Sequence, residues 1–224
     1  MSNRSIHTLL KNWDEECPLT REEAVEVLNL PEEEMDSLME CAYALRTKYK
    51  GKKVSVQLLT NVRSGNCTQN CAYCAQSKDS QAEIEKYKRV SDEKLYGDND
   101  LVDEKHLARH CIGLSGIGFS DEEIEDLADR IREMKKKDTQ ICCSIGFLTE
   151  KQARILKDAG LDRINHNLNS SRSFYPEICT THTYDQRVNN IKMLQSLGFE
   201  ICSGGIVGMG ESKEDIVDML MDIR

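Results

Sequence analysis

The sequence predicts an α/β protein in which short strands alternate with single helices to build a parallel sheet, either an open doubly wound sheet or part of a (β/α)8 barrel. Five short apolar runs carry the strand signal from Val54 onward: "VSVQLLTN", "HCIGLSGIG", "QICCSIGFL", "DRINHNL" and "EICSGGIVGMG". Amphipathic stretches separate them, "DEEIEDLADRIREMKK", "TEKQARILKDAG" and "YDQRVNNIKMLQSLG", and "SKEDIVDMLMDIR" follows the last. Boundary chemistry agrees with that division. Ser120 and Thr149 stand where N-caps belong, and Gly160 and Gly198 stand where helices end.

A helical preface precedes the first strand. Residues 7 to 48 carry two or three helical patterns, one opening with Thr20 and Glu23 in capping-box spacing and one with Pro31 in its first turn. Cys17 and Cys41 lie here, and Cys41 falls on an apolar face, as a core residue would. Residues 1–50 are therefore expected as a helical segment and residues 51–224 as the sheet-bearing domain. In either architecture, chemistry sits at the carboxyl ends of the strands. Cys67, Cys71 and Cys74 follow the first strand, while Cys111 and Cys142 lie in the second and third. Asn165, His166 and Asn167 close the fourth, and Cys202 leads the fifth.

Composition narrows the function classes. With 39% apolar and 31% charged residues and no apolar run of membrane-spanning length, the chain reads as neither a membrane protein nor a membrane binder. Its first residues lack the uninterrupted apolar stretch of a signal peptide, so a cytoplasmic location is expected. A net charge of -9 argues against a nucleic-acid partner, which would demand surplus Lys and Arg. Ten cysteines in a reducing compartment read as ligands, nucleophiles or core residues rather than as disulfides.

The stretch "SGNCTQNCAYCAQSK" sets Cys67, Cys71 and Cys74 in the pattern C-x3-C-x2-C. Random placement of the cysteines would give only about 0.02 such matches, so the triplet reads as a ligand set. Structural zinc wants four ligands, usually as two separated pairs. The bacterial ferredoxin run has another spacing, and a redox C-x-x-C at Cys71 and Cys74 would leave Cys67 unexplained. Three thiolates on one loop suit three corners of a [4Fe-4S] cube whose fourth iron stays open to a small molecule.

With Tyr73 before its last cysteine, this pattern resembles the signature of the radical S-adenosylmethionine enzymes. The stretches "CAYCAQS", "GLDRINHNLNSS", "YPEICTTHTYDQRV" and "CSGGIVGMGES" together resemble the biotin synthase family, from about residue 55 to Arg224. The resemblance implies a radical-enzyme (β/α)8 TIM-type barrel with an N-terminal helical segment. It also implies insertion of sulfur into dethiobiotin to make biotin, the last step of that biosynthesis. Cys67, Cys71 and Cys74 would hold the [4Fe-4S] cluster that chelates S-adenosylmethionine and reduces it to a 5'-deoxyadenosyl radical. Cys111, Cys142 and Cys202 match three ligands of a second iron-sulfur cluster, [2Fe-2S] in the family, whose fourth ligand is an arginine. Tyr73, Ile206 and Gly208 match adenine-side positions, Asn167 and Asn169 nucleoside contacts, Asn165 and Asn167 dethiobiotin contacts, and Arg187 the partner of the S-adenosylmethionine carboxylate. A flavodoxin- or ferredoxin-type reductant and a homodimer of the complete protein are implied as well.

Five strand candidates fall short of eight, and the arginine ligand has no counterpart here. The chain is therefore expected to stop after about five β/α units and to be incomplete as a catalyst. Two positions depart from the family: Asn169 replaces an Asp at the ribose, and Cys143 adds a thiol beside Cys142. Strand alternation would send those two thiols to opposite faces, whereas a bulge would bring both inward and leave the type of the second cluster open. Cys179 matches no cluster position and reads as structural or free, His166 as a hydrogen-bonded core or strand-end residue, and Met219 and Met221 as helix-face residues. Two other readings stay open. One is a related radical enzyme such as the [FeFe]-hydrogenase maturase, and the other is a non-catalytic iron-sulfur or zinc binding module.

Overall fold

The computed structural model describes residues 18–224. Its sheet is built from β1 (Gln57–Arg63), β2 (Arg109–Leu114), β3 (Ile141–Ser144), β4 (Arg163–Asn165) and β5 (Glu200–Cys202). All neighbours pair parallel, in the spatial order β1-β2-β3-β4-β5. A doubly wound sheet reverses direction at a switch point, and this one does not; winding in strict chain order is the barrel arrangement. All five expected strands form; β2 to β5 end before their apolar runs, which continue into the loops at their carboxyl ends, whereas β1 starts later than its run and extends past it to Arg63.

Period-two alternation then divides each strand between two faces. One inward row joins Leu59, Cys111, Cys142, Arg163 and Glu200, and the next, nearer the carboxyl ends, joins Asn61, Gly113, Ser144, Asn165 and Cys202. The intervening row, Thr60, Ile112, Cys143, Ile164 and Ile201, faces the helices. Ile112, Cys143 and Ile164 are fully buried there, in one core with Ile124, Leu127 and Ile131. The doublet therefore divides as alternation requires: Cys142 points inward and Cys143 into the core.

The helices are α1 (Arg21–Leu28), α2 (Met35–Lys50), α3 (Asp92–Glu104), α4 (Asp121–Met134), α5 (Glu150–Asp158), α6 (Tyr175–Ile178), α7 (Tyr184–Ser196) and α8 (Lys213–Ile223), with a 3-10 turn at Glu32–Glu34. Capping boxes open α1 at Thr20, α4 at Ser120 and α5 at Thr149, as the sequence predicts. Gly160 and Gly198 lie just past α5 and α7 with φ of 94° and 78°, the left-handed geometry that favours glycine.

Two helices, α3 and α6, have no counterpart in the sequence reading. The reason for α3 is physical, since polar groups anchor it. Thr60 Oγ1 donates to Asp98 Oδ2 at 2.6 Å and contacts His110 Nε2 at 2.8 Å, Lys94 Nζ reaches Asp98 at 2.6 Å, and Asn99 donates to the Met134 carbonyl at 3.2 Å. Buried Asp98 and Asn99 stand where a helix-face pattern would require apolar residues. Cys41 also differs from expectation. It is half-buried, because α2 buries none of its residues fully.

The preface docks on the last helix. Arg21 of α1 meets Asp218 of α8 with Nε–Oδ1 at 2.5 Å, and Arg224 Nη1 donates to the Leu19 carbonyl at 2.9 Å. Its residues before 18, Cys17 included, lie outside the described residues.

Candidate metal centre

Strand carboxyl ends and the loops after them enclose a cleft of about 300 Å³. Cys67, Cys71 and Cys74 all line it, so the loop after β1 turns its thiols over the mouth of the inward face. Hydrogen bonds fix that loop at several points. Ser64 and Tyr87 exchange backbone bonds at 3.0 and 3.1 Å, Gly65 N–H donates to Gln76 Oε1 at 2.6 Å, and Ser115 Oγ donates to the Gly65 carbonyl at 2.6 Å.

A second loop, residues 178–183, clamps the first. Ala72 N–H donates to the Ile178 carbonyl at 2.9 Å, and the Asn70 side chain bonds Thr180 Oγ1 at 2.7 Å and accepts from Thr180 N–H at 3.1 Å. This contact brings Cys179 Sγ to 3.8 Å from Cys71 Sγ and 3.3 Å from His182 Nδ1. Burial and the neighbouring Cys179 push the Cys71 thiol up to about 12, so a bound metal would have to displace its proton.

Arg187, on α7, also lines the cleft. Its guanidinium donates to Tyr175 Oη at 2.5 Å, to the Asn167 carbonyl at 3.1 Å and to His182 Nε2 at 2.9 Å. Among the described residues it makes no ion pair, which leaves a positive charge facing a cavity without a carboxylate partner. Burial, with Arg187 adding repulsion, lowers both His166 and His182 to about 4, so both are neutral at pH 7.

Asn165, Asn167 and Asn169 stand on the rim. Asn169 takes φ of 70°, a left-handed conformation that asparagine tolerates well, and donates from Nδ2 to Tyr73 Oη at 2.6 Å. Tyr73 is thereby held in the lining. Asn169 also accepts from Ile206 N–H at 2.9 Å, tying the strand-five loop to the rim. Ile206 and Gly208 themselves lie outside the lining. Gly208 and Met209 N–H groups instead close a turn on the Glu211 carboxylate at 2.6 and 2.7 Å.

Below the cleft, the inward face carries a second group of thiols. Cys111 and Cys142 are register partners on adjacent strands, and Cys202 pairs with Asn165 one row nearer the cleft. Cys111 donates to Gln57 Oε1 at 3.4 Å, and the adjacent Cys142 thiol, with Arg109 and Arg163, lowers the Cys111 thiol to about 7, while the Cys142 thiol is raised. Both cysteine groups suit iron-sulfur ligation by the chemistry of their donors, which are soft sulfurs, three of them on the cleft loop rather than four.

His166 corrects the sequence reading. It is 2% exposed and lines the cleft, but neither ring nitrogen has a hydrogen-bond partner among the described residues. Cys179, read from the sequence as structural or free, and His182, which that reading did not single out, also stand at the cysteine loop. Their C-x2-H spacing in "CTTH" was the available signal, although nothing local shows that it faces Cys71.

Comparison with known proteins adds the following. The family model described as the Radical SAM superfamily matches residues 61–223. Proteins named biotin synthase from Geobacillus kaustophilus and Bacillus subtilis are 41% and 40% identical over 207 residues, 92% of this chain and 62% of each relative. One of the same name from Rhodopirellula baltica is 40% identical over 92% of this chain and 58% of its own length. The chain thus spans about 60% of the curated relatives it matches. Among solved structures, methylornithine synthase superposes with a TM-score of 0.83 at 16% identity, covering 96% of this chain and 62% of that one. A maturase of the [FeFe]-hydrogenase does so at 0.80 and 18%, covering 96% and 49%. At those identities the likeness is one of fold. No helix among the described residues is long and apolar enough to cross a membrane.

Proposed function

The chain belongs to the Radical SAM superfamily, and on that premise we propose that it acts as the biotin synthases do, inserting sulfur into dethiobiotin. The observation that carries this reading is two cysteine groups on one inward face, Cys67, Cys71 and Cys74 lining the cleft and Cys111, Cys142 and Cys202 beneath it. A binding module needs only one such group, and a radical enzyme without sulfur transfer need not keep the lower one.

In this reading Cys67, Cys71 and Cys74 hold a [4Fe-4S] cluster, and Cys111, Cys142 and Cys202 hold three positions of a second, sulfur-donating one. When bound, the first supplies the electron that cleaves S-adenosylmethionine into a hydrogen-abstracting radical. The protein's own residues bind, orient and exclude water. Arg187 meets the S-adenosylmethionine carboxylate, for which it has a free charge and no competing acid among the described residues. Tyr73, held by Asn169, offers a ring edge to the adenine, and Asn167 and Asn169 take the sugar. Asn169 bonds the ribose hydroxyls without the charge that the family's Asp brings. Asn165, one row from Cys142, faces the substrate between the two groups. Ile206 and Gly208 contribute to the adenine side through the Asn169–Ile206 bond. Cys111, already lowered toward neutrality, gives up its proton to a metal more readily than Cys142, whose thiol is raised. A flavodoxin- or ferredoxin-type protein supplies the electron, the location is cytoplasmic, and the complete protein is a homodimer.

Anaerobic reconstitution of a protein containing this chain, with iron, sulfide, S-adenosylmethionine, reductant and dethiobiotin, tests the reading. Formation of 5'-deoxyadenosine together with biotin is expected. 5'-Deoxyadenosine without biotin would retain the radical chemistry and refute the sulfur insertion.

A further inference from the structure

Behind the cysteine loop lies a second donor set that the reading above does not use. Cys71, Cys179 and His182 are 8%, 3% and 6% exposed, and their donor atoms all lie within 4.8 Å of one another. Cys179 Sγ stands 3.8 Å from Cys71 Sγ, 3.3 Å from His182 Nδ1 and 3.8 Å from Nε2. A tetrahedral ion held by thiolates at about 2.3 Å and an imidazole at about 2.0 Å sets its sulfurs about 3.8 Å apart and each sulfur about 3.5 Å from the nitrogen. The Cys71–Cys179 and Cys179–His182 separations therefore already stand close to two edges of such a tetrahedron, and the third pair lies within 4.8 Å.

The hydrogen bonds also select the imidazole nitrogen. Arg187 Nη2 lies 2.9 Å from His182 Nε2 and can only donate, so Nε2 carries the lone pair. Nδ1 then carries the proton and donates it to Gln69 Oε1 at 2.9 Å. Giving the Nδ1 proton to a carbonyl oxygen fixes the tautomer in which Nε2, now accepting from Arg187 and 2.9 Å from Tyr175 Oη, is the nitrogen a metal would take. Two thiolates would cancel the charge of a divalent ion, so Arg187 and the Tyr175 hydroxyl would swing off Nε2 and Arg187 would not face a net cation.

We propose that Cys71, Cys179 and His182 Nε2 form a binding site for a thiophilic divalent cation such as Zn2+, with Gln69 orienting the imidazole. Binding releases the two thiol protons and involves no redox step. Because the site takes the Cys71 thiolate, it and a cluster on Cys67, Cys71 and Cys74 exclude each other. Only this exclusion rests on the function proposed above; the ion site stands on its own geometry.

The test is a titration of the full chain, cluster-free and with its thiols reduced, with Co2+ as a spectroscopic stand-in for Zn2+. One tightly bound ion is expected, with tetrahedral d–d bands and thiolate-to-cobalt charge transfer, displaced by Zn2+. Cys179→Ala and His182→Ala should lose the bands, whereas Cys67→Ala and Cys74→Ala should keep them. Circular dichroism confirms that each variant is folded, and Cys179→Ser, closest in size, serves if Cys179→Ala does not fold. Bands unchanged in the Cys179 variant, or lost in Cys67→Ala, would overturn the site. In a second arm, Zn2+-loaded wild type should form cluster absorbance with iron and sulfide more slowly than zinc-free protein, and Cys179→Ala should show no such difference. Equal rates in wild type would overturn the exclusion while leaving the ion site standing.

Discussion

Cys142 and Cys143 are chemical twins one residue apart on β3, and they lie in opposite regions of the molecule. Cys142 sits on the inward face between Cys111 and Arg163, with its neighbours half-exposed and charged. Cys143 is fully buried on the helix-facing side between Ile112 and Ile164. The contrast extends along the whole sheet. The inward rows hold mostly thiols, amides and the charged pair Arg163 and Glu200, which stabilise the fold poorly and are suited to ligands. The outward row is apolar except at Thr60 and supplies the core. A one-residue step therefore separates chemistry from stability, and substitutions on the two faces should fail in different ways.

The largest expected effect lies over the inward face. Replacing Cys67, Cys71 or Cys74 by Ala should abolish the brown cluster absorbance or leave a cluster unable to cleave S-adenosylmethionine, with little change in the unfolding of the cluster-free chain. Cys179→Ala, in contact with Cys71 but outside the triplet, should still load the cluster. Equal iron loss in both would erase the distinction between them.

On the outward face, Ile164→Ala opens a cavity in a fully packed site and should cost about 3 kcal/mol. Its neighbour Asn165→Ala should cost under about 1 kcal/mol and act instead on ligand binding. Urea unfolding of the two variants, read beside S-adenosylmethionine affinity, would sharpen the comparison. Similar stability losses at both positions would break it.

The buried imidazoles of the cleft make stability depend on pH. His166 stays neutral to about 4 in the folded chain, while an unfolded histidine binds its proton near 6.5. The unfolded state thus holds more protons between those values. The stability of the cluster-free chain should be full above about pH 6.5 and should decline as pH falls toward 4, by up to about 3 kcal/mol from this residue. His182 adds to the same slope, so His166→Phe, stacking on Phe147, should flatten the slope in part. A slope of unchanged size in that variant would show that His166 takes no part.

The smallest effect concerns the doublet itself. Cys143→Ala should cost about 1 kcal/mol, the loss of one buried sulfur, and leave any lower cluster intact. Cys142→Ala should do the reverse, which iron counting and thermal unfolding together would reveal.

Much of this division could be read from the sequence, because period two is local. The spacing of Cys111 and Cys142 within apolar runs put both on strands, and alternation offered the separation of Cys142 from Cys143 that the regular register of β3 shows, where a bulge had stayed open. The caps at Thr20, Ser120 and Thr149 were legible for the same reason. What could not be read depends on contacts across the chain. α3 is held by Asp98 and Asn99, whose partners Thr60, His110 and Met134 lie up to 38 residues away. Cys179 gains its meaning from Cys71, 108 residues earlier, and His166 lacks the hydrogen bonds that its asparagine neighbours suggested. The apolar pattern around Cys41 could not reveal that α2 packs too loosely to bury it.

The central claim is that the loop over the inward face holds a cluster with one iron left open. Electron paramagnetic resonance of the reconstituted, reduced chain tests it most directly, with and without S-adenosylmethionine. The account predicts a [4Fe-4S]+ signal that changes its g-values when S-adenosylmethionine is added and that is missing from Cys71→Ala. A signal indifferent to S-adenosylmethionine would mean that all four irons are closed by the protein, and would contradict it.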